Sequence, residues 1–475
     1  MRDFRYVRNE GGRRMAGLRR AGFAAALSLA ASLGTWGLAA AQEAEPVSLD
    51  YFAAQQRFLD RSDAIEAAGA NVRSREAQEQ SVRHLRRPDV DLEVQLLEYQ
   101  KTLYLPLGSL APVAGQFGIA DPLRFKQEMT VTRPIATATL PLYTGGQIDA
   151  TRAGARAQLN AAKAERDLAT DTGLSQLVQA YYGQQLAERA LGVRRDVLAG
   201  LERHVSDVAR LEQEGFASRA QLLQAEVARD EAAREYQNAI AALATANASL
   251  AGLLRSPSGV RPVSPLFIIS KPLEPLEEFT AVSLRQHPQL RRLGAVRDEA
   301  AAGIRIEEAK RKPQVYGFAQ YNFAPRDALL TDPDWTLGVG FRYKFLSGVD
   351  RGASIDAARQ TAAQALAGAR ETETQIGIGV TKAWFEVDAA RRSFLLLESA
   401  IVSAQENLRL QSIAYREQQA TSLDVVDAQL GIGRARIQQA QAAYDYVTAL
   451  ADLLSVSGQM DRMADYVNRA DRIVP

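Results

Sequence analysis

The sequence predicts a mainly α-helical protein with a small β part: two copies of a long helical hairpin, each carried on one end of a pair of strands. Three observations predict it. The chain matches itself at a fixed offset, helical pattern runs without proline for about seventy residues in each copy, and short alternating stretches precede each run. At an offset of 203 residues, Leu142-Tyr143-Thr144-Gly145 falls on Phe345-Leu346-Ser347-Gly348, and Tyr181-Tyr182 on Trp384-Phe385. Glu214 falls on Glu417, Ala217 on Ala420 and Ala225 on Ala428, and the register holds to Leu250 on Leu453. Upstream of Leu142 the offset is 225, with Gly69 on Gly294 and Pro88 on Pro313, so the first copy carries 22 extra residues.

The chain divides accordingly into a signal segment (1–41), a first repeat (42–255), a proline-rich linker (256–280), a second repeat (281–458) and a tail (459–475). Residues 13, 14, 19 and 20 are arginines; an apolar run from Ala21 to Leu38 leads to Ala39-Ala40-Ala41, the layout of a cleaved secretory signal. Met15 is the more natural start, since the residues before it only lengthen the charged region. No later segment is apolar enough for a membrane helix, so contact with a membrane has to come through strands or surface helices.

Within a repeat the expected order is helix, strand, loop, strand, very long helix, short break, returning helix. Val90 to Leu96 alternates apolar with polar residues, giving a strand with one dry face. The extra residues of the first copy fall between Lys101 and Pro122, where proline and glycine without any period predict a long exposed loop. In the second copy Trp335, Leu337, Val339, Phe341, Tyr343 and Phe345 alternate with Thr336, Gly338, Gly340, Arg342 and Lys344. Eleven residues suit a tilted membrane strand, which needs roughly 9 to 11, and Trp335, Leu337, Val339, Phe341 and Tyr343 are the expected lipid-facing set. Four strands are too few to close a barrel, which begins at about eight, so several copies have to pool theirs.

From Gly145 to about Gln213 a helix of roughly 100 Å is expected at 1.5 Å per residue. Leu198, Leu201, Val205 and Val208 step by the three and four that let a partner helix pack along it. The breaks EGFASRAQLLQAE (214–226) and EQQATSLDVVDAQ (417–429) are the same turn made twice. Between the repeats, five prolines from Ser256 to Pro275 stop any regular helix.

Composition excludes several function classes. There are 57 basic and 56 acidic residues, which gives no pull toward nucleic acid. No cysteine is present, which removes disulfides, thiolate metal sites and a cysteine lipid anchor. Three scattered histidines, His84, His204 and His287, suggest no metal site or nucleophile–base pair. Neither an enzyme nor a cofactor is expected.

Leu140-Pro141-Leu142-Tyr143-Thr144-Gly145-Gly146, His287-Pro288-Gln289-Leu290 and the two breaks, in this order and repetition, resemble the TolC-like outer-membrane efflux proteins over nearly the whole mature chain. The resemblance implies a homotrimer, four strands from each chain forming a twelve-stranded outer-membrane barrel that the helices continue across the periplasm as an α-barrel. It implies a passive duct for efflux or type I secretion, whose partners are a periplasmic adaptor and an inner-membrane pump of the RND or ABC kind. By position, the adaptor-docking tips are Gly215, Phe216, Ala217, Ser218, Gln221, Leu222 and Leu223, with Ala420, Thr421, Ser422, Leu423, Val425 and Val426. Asp424 and Asp427, one turn apart, match the family's acidic pore gate; Gln221 and Gln224 stand there in the first copy. The alternative reading is a soluble periplasmic coiled-coil adaptor, which shares the signal and hairpins but needs no amphipathic strands.

Overall fold

The computed structural model describes residues 45–325 and 333–474; the signal segment lies outside the described residues. In chain order the elements are β1 (Val47–Leu49), α1 (Tyr51–Arg61), α2 (Asp63–Val82), β2 (Asp89–Leu105), α3 (Ala111–Gln116), β3 (Leu123–Tyr143), α4 (Gln147–Gln213) and α5 (Arg219–Leu253). They continue with β4 (Val260–Pro262), β5 (Phe267–Ile268), α6 (Leu276–Gln286), α7 (Pro288–Ala309), β6 (Gln314–Asn322), β7 (Trp335–Arg342), α8 (Arg351–Arg416), α9 (Ser422–Ser457), α10 (Met463–Asn468) and β8 (Arg472–Ile473). Mainly α with a small β part is what the chain is. The long helices α4 and α8 have 67 and 66 residues. None of the described helices is long and apolar enough to cross a membrane.

Two helices, not one, precede each strand pair. Ser62 and His287 break them at equivalent positions in the repeats, each with an extended backbone that Pro288 enforces in the second copy. His287 Nδ1 then accepts from the Gln289 N–H at 3.0 Å and caps α7.

The strands β2, β3, β6 and β7 form one antiparallel sheet in that order. β2 is longer than its alternation suggested: the ladder with β3 runs unbroken from Asp89–Thr139 to Leu105–Leu123, so 101–105 is strand rather than loop. The reason is a change of phase. Apolar residues occupy even positions to Leu96 and odd ones from Leu97, while the backbone pairing does not shift. What remains between the strands holds α3 and one turn of 3-10 helix, Gly108–Leu110. β7, conversely, stops at Arg342, short of Tyr343 and Phe345, because its partner β6 starts at Gln314 after Pro313, which has no N–H to extend the ladder.

The main core lies at mid-length of the long helices, where the linker does more than connect. Leu266, Phe267, Ile268 and Ile269 are buried in the core with Tyr51, Tyr181, Tyr182 and Tyr446. Residues of the linker also make two ribbons: β4 pairs in parallel with β1, and β5 antiparallel with β8 of the tail. These four short strands add to the four expected. Tyr181 ties the collar together. Its hydroxyl donates to the Leu49 carbonyl (2.8 Å) and accepts from the N–H groups of Val263 (3.2 Å) and Ser264 (2.9 Å). Glu274 holds the tail by accepting from Tyr466 (3.1 Å) and Arg469 (2.7 Å).

Candidate functional site

The molecule has two ends with distinct chemistry. At the sheet end, residues opposite one another share a face, so Val90, Ala138, Ala319 and Leu337 form one row and Leu92, Ala136, Tyr321 and Trp335 the next. This face is apolar and open: Leu96 is 74% and Leu337 73% exposed, and Val94, Val339 and Phe341 are exposed with them. Tyr343 is exposed too but sits one residue past the strand, so its direction is not fixed by the β7 ladder.

On the opposite face, the rows Asp89–Thr139–Phe318–Gly338 and Asp91–Thr137–Gln320–Thr336 are largely polar. Glycine at 338 is required there, since a Cβ would come within 2.8 Å of the Phe318 ring. Beyond Leu96 the apolar face turns polar, with Glu98, Gln100 and Thr102 opposite Thr130, Glu128 and Lys126. An apolar belt thus ends at a defined height, while β2 and β7 remain as free edges. Free edges with an apolar face belong in a larger, closed sheet.

At the other end the hairpins turn. After α4, the Phe216 N–H reaches the Leu211 carbonyl (2.8 Å); after α8, the Gln419 N–H reaches that of Ala414 (2.8 Å). These are equivalent positions and the same turn. Gly215 takes φ +83 and its counterpart Gln418 φ +61, a left-handed conformation that costs a side chain energy. Gln418→Gly is expected to raise stability by about 0.5–1 kcal/mol, read as a higher urea midpoint.

Both returning helices start with a capping box. In the first, Gln221 Oε1 accepts from the Ser218 N–H (2.8 Å); in the second, Asp424 accepts from the Thr421 N–H and hydroxyl (both 2.7 Å). These bonds from Thr421, the hydroxyl's first, hold the Asp424 carboxyl below the usual carboxylate range. Asp424 and Asp427 both point to solvent at the tip.

Of the expected docking residues, Leu222, Ser422, Val425 and Val426 are buried and correct that expectation. Leu222 and Val425 pack with Val208, Ala225 and Tyr415 between the hairpins, and Val426 with Val197, Leu201 and Ala232. The surface that the tips do offer is Gly215, Phe216, Ser218, Thr421 and the exposed Leu223 and Leu423, with Ala217, Gln221 and Ala420 half-buried.

One contact that sequence reasoning missed joins the two hairpins near the tip. Buried His204 of α4 lies 2.8 Å from Ser422 Oγ of α9, through Nε2, and its ring meets that of Tyr415 of α8 edge-on at 5.1 Å. Burial lowers the histidine pKa, against the opposing pull of Ser422 and Asp207. A depressed pKa favours the neutral ring in the folded state, so its contribution is full above the free value of about 6.5 and fades as pH falls below it. Amide protection around 204 and 422, corrected for the intrinsic exchange rate at each pH, is therefore expected to fall between about pH 7.5 and 5.5. His204→Gln should remove that difference; an unchanged pH response in the variant would assign it elsewhere.

Among the described residues no group of three or more His, Asp or Glu side chains is placed to hold a metal ion. An apolar-belted sheet with free edges, continued by two 66- and 67-residue helices and their returning partners, defines a membrane protein built on long helical hairpins. The profile of the family described as Outer membrane efflux protein matches residues 54–254 and 281–459, and the chain belongs to that family.

Outer membrane efflux protein BepC of Brucella suis is 23% identical over 384 residues, spanning 79% of this chain and 81% of its own. Among solved structures, the outer membrane protein VceC of Vibrio cholerae superposes with a TM-score of 0.70 at 15% identity, over 86% of this chain and 96% of its own. The MtrE outer membrane channel of Neisseria gonorrhoeae gives 0.67 at 18%, over 86% and 88%. The protein is thus an outer-membrane efflux channel reaching into the periplasm, and not an enzyme. The soluble-adaptor alternative finds no support.

Proposed function

We propose that three copies pool their strands into a twelve-stranded barrel in the outer membrane and their helices into a periplasmic tunnel, forming the exit duct of a tripartite efflux or type I secretion system. The observation that carries this reading is the four-stranded sheet with an apolar outer face and both edges free, too small to close alone. Lipid covers Trp335, Leu337, Val339 and Phe341, and Tyr343 extends the belt.

The tips receive a periplasmic adaptor, which connects the duct to an RND or ABC pump in the inner membrane. Phe216, Leu223 and Leu423 are the apolar residues exposed for it. Asp424 and Asp427 gate the pore as rings of carboxylates that favour cations. The test is photo-crosslinking in cells from position 223 or 423. Capture of a periplasmic protein anchored to the inner membrane is expected, and recovery of crosslinks within the channel alone would overturn the docking role.

A further inference from the structure

The two free edges of the sheet carry opposite charge on the same face. On β2 that face bears Asp89 and Asp91; β7 ends on it with Arg342, and Lys344, two residues past the strand, reaches the same face once a neighbouring strand extends the ladder. Among the described residues none of these four has an ion-pair partner, and all are exposed; Arg342 rests only over the Tyr316 ring, 5.2 Å from its centre. We propose that β7 of one copy pairs antiparallel with β2 of the next in one register, with Arg342 opposite Asp91 and Lys344 opposite Asp89. This rests on the pooled-strand reading above and deepens it, because that reading leaves the register open.

Three independent constraints select the register. The first is facing: the exposed apolar residues Val90, Leu92, Val94 and Leu96 have to share a face with Leu337, Val339 and Phe341, which permits only staggers of an even number of residues.

The second is the height of the belt. The apolar stretch of β2 centres on Glu93 and that of β7 on Gly338, yet the row through Gly338 reaches β2 at Asp89, four residues below Glu93. The belt therefore slips by four residues over three ladders. A level belt needs the fourth ladder to continue that drift to between five and six, and six is the nearest even value. The next copy then places Gln95, not Asp89, opposite Gly338. Over three copies of four strands this tilts the strands by roughly 45°, within the usual range.

The third constraint is charge. A stagger of four residues keeps Arg342 opposite Asp89 but sets Lys344 against Arg87, and like charges directly opposite are unfavourable. A stagger of eight sets Arg342 against Glu93 and Lys344 against Asp91, so charge does not exclude it, but it demands a tilt of roughly 55°, beyond the 35–45° that barrels adopt. The six-residue stagger satisfies both charges at a permitted tilt, and it also sets Tyr343 beside Val90 and Leu337 beside Leu96, so that the belt is apolar across the seam.

The chain has no cysteine, so the register is read by introduced pairs in the full-length protein in its own outer membrane. Asp91→Cys with Arg342→Cys is expected to give disulfide-linked dimers and trimers under mild oxidation, since directly opposed residues lie within disulfide reach. Asp89→Cys with Arg342→Cys, and Glu93→Cys with Arg342→Cys, represent the neighbouring registers and should give at least several-fold less product.

Dominant linking through either neighbouring pair overturns the register while leaving pooled strands intact, as does trimer capture by an amine-reactive reagent with no linking through any pair. Monomers alone under both reagents overturn the pooled-strand reading itself. As a readout of the charges, Arg342→Asp should lower the temperature at which the SDS-resistant assembly dissociates, and adding Asp91→Arg should restore it. A loss that the second change does not restore would remove the charge pairing.

Discussion

Tyr181→Ala is expected to destabilise the protein by about 3–5 kcal/mol, the usual cost of removing a buried aromatic side chain. The ring is fully buried and lies within 6 Å of two others, with centroids 5.8 Å from Tyr51 and 5.1 Å from Tyr182. Its hydroxyl is the point where three segments distant in sequence meet: the Leu49 carbonyl of β1 and the Val263 and Ser264 N–H groups that follow β4. Tyr181→Phe keeps the ring and strands these partners, at a cost of about 1–3 kcal/mol.

The two variants separate packing from bonding. Urea unfolding of the detergent-solubilised protein, followed by helical signal, should rank them unchanged, Phe, Ala. If Ala fell no further than Phe, the ring would contribute nothing beyond its hydroxyl. The linker beside it should become sensitive to protease first, because the ribbon of β1 and β4 is only three residues long and the Tyr181 hydroxyl holds the two N–H groups that follow it.

The collar also shows where sequence reasoning reaches its limit. The long hairpins were legible because a duplicated chain without proline inside a seventy-residue run leaves few alternatives, and the offset of 203 correctly paired Ser218 with Thr421 and Gly215 with Gln418. Residues 256–280 look like a linker because proline punctuation is a local signal. The signal against that reading was the apolar quartet Leu266 to Ile269, which had to be buried somewhere.

The alternation shows only the first part of β2, because a period search keeps one phase, whereas the strand changes phase at Leu96–Leu97 when it passes from one environment to another. The contact of His204 with Ser422 spans 218 residues, and nothing local announces it. Docking residues carried over by position included four that the hairpins bury between themselves, since position along a helix does not say which face is already taken.

The largest functional effect is expected from Asp424→Gln combined with Asp427→Gln, which gives the second tip the residues of the first, Gln221 and Gln224. Alanine is the weaker test, because Asp424 also caps α9 by accepting from the Thr421 N–H, and its removal confuses a frayed helix start with a changed pore. Glutamine is already shown by Gln221 to make the same bond to its cap residue, Ser218. The helix start is thereby preserved while the charge is lost, from both carboxylates in every copy.

If these carboxylates ring the narrowest part of the tunnel, the ratio of cation to anion permeability in planar bilayers should fall several-fold, and block by divalent cations should weaken with it. The effect should shrink as salt rises, because charges at a wet constriction are screened over about 10 Å at 0.1 M. An unchanged permeability ratio at low salt, with the same assembly and thermal stability, would place both aspartates outside the pore. The acidic side chains would then be left with the role the geometry already gives Asp424, that of starting a helix.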